Sequence, residues 1–175
     1  MRIRIKKVRD DIPTPGYAYK GDSGYDLIAG ETTVVRPGET VKIPTGLAFE
    51  IAEGYEMTVR PRSGFTSNTK LRVQLGTVDS GYIGEVSVIV DNITEVKRKT
   101  LTGKLRDWVA KRRGQYDHAG EILPEGTYVV EKGTRIAQGV IAPVVQARFS
   151  PLPKGVELSK TDRGEGGFGS SGVKS

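Results

Sequence analysis

The chain has 175 residues, enough for one domain with a true hydrophobic core, and length alone calls for no second one. It has no cysteine and a single histidine, His118, which excludes disulfides, thiolate chemistry and multi-histidine metal centres. Its net charge of +6 is concentrated: Lys97 to Arg113 carries eight basic residues against Asp107, and the remainder, with 19 basic and 20 acidic residues, sums to −1. The high pI therefore belongs to one segment and says little about what the core binds.

In chain order, "MRIRIKKV" alternates with period two and reads as a strand. No run there suits a signal peptide, and nothing downstream approaches the roughly 20 apolar residues of a membrane span. A soluble protein of the cytoplasm, or of a host-cell cytoplasm if viral, is expected. "TTVVRPGETVKIPTGLAFEI" holds two extended runs around the turn signal "RPGE". "YEMTVRPRS" ends another run, and "EVSVIV" and "TRIAQGVIAPVV" are rich in β-branched residues. "KRKTLTGKLRDWVAKRRGQ" differs: Leu101, Leu105, Trp108 and Val109 share one helical face, with Gly114 as a C-cap. After about Pro151 the strand pattern stops. The expectation is an all-β barrel or jelly-roll-like domain over 1–150, with a mostly helical insertion over 95–123 and a mobile C-terminal arm over 151–175.

Five glycine-marked polar clusters punctuate this pattern. They are "GDSGYDL" with Asp22 and Asp26, "RPRSGF" with Arg62 and Ser63, "GTVDSGYIGE" with Asp79, Tyr82 and Glu85, "KGTRIAQ" with Arg135 and Gln138, and the tail "RGEGGFGSSG". Singly, each is a good turn, since Asp beside Gly commonly bonds its own backbone. Together they supply carboxylates for a hard cation such as Mg²⁺, and arginine, hydroxyl and amide donors for phosphate oxygens. They also supply aromatic rings for a sugar and a base. With the single histidine set aside and no cysteine, a water nucleophile needs a carboxylate base. The sum is a nucleoside polyphosphate cleaved by water with metal help. The chain has no G-x-x-x-x-G-K-[ST] loop, which argues against an ordinary NTPase.

In order and content these clusters resemble those of the trimeric deoxyuridine triphosphatase (dUTPase) family, from about Gly21 to Gly172, with a bacteriophage-type insertion between. "GTVDSGYIGE" followed by "RGEGGFGSSG" carries the resemblance most specifically. It implies a jelly-roll-like subunit, a homotrimer with shared active sites, and Mg²⁺-dependent conversion of dUTP and water to dUMP and pyrophosphate. Such a reaction limits uracil incorporation into DNA and supplies dUMP for dTTP synthesis. By the same resemblance Asp79 is the base for the attacking water, and Asp26 holds Mg²⁺ through a bound water. Tyr82 packs under the deoxyribose and excludes a 2′-hydroxyl. Arg62, Ser63, Gly64 and Gln138 contact the phosphates. In the tail, Phe168 stacks on uracil, Arg163 helps hold the closed arm, and Gly169, Ser170 and Ser171 cap the γ-phosphate.

Two positions depart from the family pattern. Val73 stands where many members have the asparagine that reads uracil, and Ser171 where threonine is common. Base reading then falls to the backbone of a Val73–Thr77 hairpin, Gly76 included, with Gln74 as a side-chain substitute. A dCTP deaminase, which shares the fold and pocket, is the alternative enzyme, and a binding module that has lost catalysis is the alternative outside enzymes. The insertion at 95–123 is needed by none of this chemistry. It reads first as a helix packed on the barrel with a solvated basic face, and second as a docking element for a regulatory protein. Nucleic acid is a less favoured partner, and His118 reads as a surface residue.

Overall fold

Where apolar and polar residues alternate, the chain forms strands that bury one face. A computed structural model describes residues 1–95 and 123–167. Among these residues there are ten strands and one short helix: β1 (Arg4–Lys7), β2 (Tyr25–Ile28), β3 (Thr33–Val35), β4 (Thr40–Glu50), β5 (Tyr55–Pro61), α1 (Ser63–Asn68), β6 (Leu71–Val73), β7 (Gly76–Asp79), β8 (Glu85–Asn92), β9 (Tyr128–Val130) and β10 (Arg135–Pro143). Two four-stranded sheets, ordered β1-β4-β8-β6 and β2-β10-β5-β7, and the pair β3-β9 are antiparallel throughout. The expectation of a β-strand protein holds for the described residues. The expected insertion helix lies outside them, as do His118 and all but the two ends of 95–123.

The core takes the inward residues of both sheets. Val86, Val88 and Val90 of β8 are buried while Ser87 and Ile89 are exposed, and Met57 and Val59 of β5 meet Leu27, Ile136 and Phe49 in one cluster. Within it the Tyr25 hydroxyl donates to Met57 Sδ at 2.8 Å, and burial pushes the phenol's pKa up, with Tyr17 adding to the effect.

Strand β4 serves two neighbours by breaking its register between Pro44 and Ala48. Gly46 sits in that bulge at φ +72°, where a Cβ would lie 2.6 Å from Ile12 Cγ1, so only glycine suits it. Its N–H donates to Glu85 Oε1 at 2.8 Å. Glu85, one of the carboxylates in the third cluster, therefore spends one oxygen on holding the fold.

Asn92 is 1% exposed and fully employed. Its amide donates to the carbonyls of Val35 and Gly126, each at 2.9 Å, and its Oδ1 accepts the Thr94 N–H at 3.0 Å. A Cβ on Gly126 would lie 2.5 Å from Thr94 Cγ2, so the chain on either side of residues 96–122 is held side by side. Removing the amide strands two carbonyls and an N–H in the interior. Asn92→Ala is expected to cost about 2–4 kcal/mol, read as a lowered denaturant midpoint at unchanged m.

By its contacts the chain divides into Met1–Val145, which contains all ten strands and α1, and Gln146–Ser175.

Candidate functional site

On the sheet β2-β10-β5-β7 one face carries the core residues Met57, Val59 and Leu27, and alternation turns Asp26, Gln138 and Arg60 to the other. Gln138 lies opposite Asp26 on one side and opposite Arg60 on the other. Directly opposed residues of an antiparallel pair put their side chains on the same face, so three strands contribute to one polar row. Gly24 permits the first cluster to lie close on this row, since its Cβ would be 3.2 Å from Gly139 O and 3.3 Å from Gln138 Cβ. Asp22 does not join the row's hydrogen bonds: its carboxylate reaches back to accept the Tyr19 N–H at 2.8 Å while its own N–H donates to Tyr19 O at 3.2 Å, which closes a local turn.

Past the end of β5, Arg62 Nε donates to Asp26 Oδ1 at 2.7 Å. The other carboxylate oxygen lies 3.5 Å from Arg135 Nη1. Arg62 is also the N-cap residue of α1, in extended conformation, and Ser63 and Gly64 open that helix. The six-residue α1 is not expected from the sequence, in which "RPRSGF" reads as a strand end followed by a polar cluster. Phe65, its buried residue, ties it to the core. The first, second and fourth clusters thus meet at one corner, and Arg135, which carried no assigned role, joins them.

The Asp26 carboxylate is offset by two guanidinium groups, so it could help hold a hydrated cation only through water and with substrate phosphates supplying most of the charge and the shell. It does not make a dedicated metal cage. Among the described residues no three His, Cys, Asp or Glu side chains are grouped to hold a metal ion.

The third cluster lies elsewhere on the chain. Asp79 ends β7 opposite Glu56, at the far end of β5 from Arg62. Six residues separate Glu56 from Arg62, or roughly 20 Å of extended strand. After Asp79 the chain turns, with the Tyr82 N–H donating to Asp79 O at 3.0 Å, and the Tyr82 hydroxyl donates to Glu85 O at 3.0 Å. The ring lies against Gly84, where a Cβ would come within 2.7 Å of Cζ, and remains 48% exposed. Asp79 is exposed too, and its carboxylate has no partner among the described residues.

The expected Val73–Thr77 hairpin is corrected by the strand pairing. β6 pairs with β8 and β7 with β5, so Gln74 and Leu75 carry the chain from one sheet to the other. Val73 is buried opposite Val90, Gly76 lies opposite Val59, and the exposed Gln74 donates its side-chain amide to Asp91.

Of the tail, only its beginning is described. Arg163 Nε donates to Gly166 O at 2.8 Å and the Gly166 N–H returns to Arg163 O at 3.0 Å, which makes a closed turn. Phe168, Gly169, Ser170 and Ser171 lie outside the described residues.

Strands, corner and cluster order together fit a β-strand protein of the nucleotide-hydrolase kind. The sequence pattern of the dUTPase family matches residues 10–104 and 124–172. The chain belongs to the dUTPase family. It is 38% identical to the deoxyuridine 5'-triphosphate nucleotidohydrolase of Nautilia profundicola over 174 residues, covering 98% of this chain and 99% of that one. Among solved structures it resembles a dUTPase of Staphylococcus bacteriophage 80alpha with dUpNHpp, at a TM-score of 0.81 and 30% identity over 98% and 99% of the two chains. A dUTPase from phage phi11 of S. aureus, solved in a mutant form that reveals coordination of a structural Mg(II) ion, gives a TM-score of 0.71 at 28% identity over 89% and 99%. No helix among the described residues is long and apolar enough to cross a membrane.

Proposed function

We infer that this chain hydrolyses dUTP to dUMP and pyrophosphate. The observation that carries the reading is the corner where Asp26, Arg62 and Gln138, from three separate clusters of the family pattern, converge on one face of one sheet. Arg62, with Ser63 and Gly64 at the start of α1 and Gln138 beside Asp26, receives the phosphates. Asp79 takes a proton from water as the water oxygen bonds to the α-phosphorus. The bond from that phosphorus to the bridging oxygen breaks, and the electron pair leaves on pyrophosphate. The exposed ring of Tyr82 receives the deoxyribose and leaves no room for a 2′-hydroxyl. Mg²⁺, held through water at Asp26, supplies neutralising charge on the triphosphate when bound. Arg163, Phe168, Gly169, Ser170 and Ser171 cover base and γ-phosphate from the arm.

The subunit is a jelly-roll-like β domain over 1–150 with an arm over 151–175, and the active unit is a homotrimer with sites shared between chains. The separation along β5 supports this. A base must come within hydrogen-bond reach of its water, or one water further, and roughly 20 Å of strand between Glu56 and Arg62 is far outside that range. Asp79 of one copy and Arg62 of another can meet where those of one chain do not.

Pyrophosphate release with Mg²⁺ from dUTP, dTTP, dCTP and UTP, run beside ammonia detection, tests the activity. Release from dUTP alone is expected. Ammonia from dCTP would favour the deaminase alternative, and binding without turnover would favour a module that has lost catalysis. A protein of the cytoplasm, or of a host cell's cytoplasm, fits such a substrate.

The segment 95–123 is read first as an element packed on the barrel and second as a docking element for a protein partner, with nucleic acid less favoured. That the chemistry does not need it is supported by the family pattern, which omits 105–123, and by Asn92, which clasps the chain on both sides. Replacing residues 97–115 by a short linker is expected to leave kcat for dUTP within about twofold, since loop-closure entropy changes only slowly with the length of a connection. Loss of turnover or of assembly in that variant would make the segment structural.

A further inference from the structure

We propose that Asp91 is a positioning residue for base selection, holding Gln74 so that its amide oxygen is the end offered to the nucleobase. The proposal rests on the reading that the base lies against the Val73–Thr77 segment.

Val73 contributes no polar group there, being buried opposite Val90. The next residue, Gln74, is exposed and anchored at its backbone, where its N–H donates to Ile89 O at 2.9 Å. Its side-chain Nε2 donates to Asp91 Oδ2. The other oxygen, Oδ1, accepts from Thr40 Oγ1 at 2.7 Å. Thr40, Asp91 and Gln74 thus form a polar chain running from β4 across β8 to the end of β6.

Arg72 is the nearest cationic candidate to claim Asp91 by register, since the two are partners on β6 and β8. Instead its Nη1 donates to the carbonyls of Thr66, Thr69 and Leu71 at 3.0, 3.1 and 2.8 Å. The guanidinium is used to close the end of α1, and Asp91 is left to Thr40 and Gln74.

The consequence lies in the asymmetry of an amide. A carboxylate accepts hydrogen bonds, so the NH₂ end of Gln74 must face Asp91 and Oε1 is the end left over. Uracil presents an N3–H between two carbonyls. Cytosine presents a bare lone pair at N3 and an amino group beside it. An acceptor in that position complements uracil and opposes the cytosine lone pair, whereas a reversed amide would do the converse. Sites built on such polar matches discriminate strongly, because the wrong partner leaves buried groups unpaired.

The test is steady-state kinetics of dUTP hydrolysis with dCTP as competitor, for the parent, Gln74→Ala, Asp91→Ala and the double variant of the full chain. Each single variant is expected to raise KM for dUTP about five- to tenfold, with a much smaller change in kcat, and to lower discrimination against dCTP by a similar factor. The double variant is expected to be no worse than Gln74→Ala, since Asp91 acts through Gln74. Asp91→Ser, too short to reach the amide, makes the same comparison if the alanine chain does not fold. Unchanged discrimination in Gln74→Ala, or effects of the two substitutions that multiply, would overturn the proposal. A parent chain that fails to hydrolyse dUTP at all would instead overturn the functional reading on which it rests.

Discussion

Asp79→Asn is expected to lower kcat for dUTP by about 10³-fold, within the range spanned by loss of a general base. The substitution is nearly isosteric and keeps a group that can orient water, but asparagine cannot accept the proton at neutral pH. Binding should change little, because in the proposed site Arg62, Ser63 and Gln138, rather than Asp79, receive the phosphates. Folding should also be spared: Asp79 is exposed at the end of β7, and its carboxylate supports no hydrogen bond among the described residues. Pyrophosphate release gives the rate, and equilibrium titration with dUTP gives the affinity. Retained turnover would remove Asp79 from the mechanism.

Truncation after Ser159 is the second large effect. It removes Arg163, Phe168 and the Gly169–Ser171 stretch, and is expected to lower kcat/KM for dUTP about 10²- to 10³-fold through lost positioning and lost exclusion of bulk water. The thermal midpoint should be nearly unchanged, since the hydrophobic core lies wholly within Met1–Val145. A glycine-rich stretch costs much backbone entropy to order, which suits a segment that must open on every cycle. Full activity after truncation would exclude the arm from catalysis. A large fall in melting temperature would make it a structural element instead.

Local chemistry was readable in the sequence where it repeats along the chain. The period-two alternation of "MRIRIKKV" marks β1, and the β-branched content of "EVSVIV" marks β8, where every second side chain enters the core. The "RPGE" turn is closed as its residues suggest, with the Glu39 N–H bonded to Arg36 O and the Arg36 N–H bonded to Glu39 Oε2. Short elements were not readable. α1 has six residues and one buried side chain, too few to display a helical period. β9 has only three residues, as does β6.

Long-range pairing was equally hidden. The 36 residues between Asp26 and Arg62 leave no trace of their ion pair. Nothing in the sequence singles out Asn92, yet it is buried and joins segments up to 57 residues apart. The hairpin expected at Val73–Thr77 came with the family resemblance, and adjacency along the chain does not say which sheet each strand enters. The cluster order was legible for a different reason: five polar groups at glycine-marked turns reflect a shared chemistry rather than a local conformation.

If dUTP is cleaved where Asp79 of one copy meets Arg62 of another, two inactive chains should complement each other. The most direct measurement mixes two inactive chains, Asp79→Asn and Arg62→Ala, dissociates and reassembles them together, and follows pyrophosphate release from dUTP. Equimolar random assembly should restore roughly a quarter of the parent rate, because a site drawing each group from a different chain finds both intact about one time in four. A mixture as inactive as its separate components would place both groups within a single chain and contradict the account.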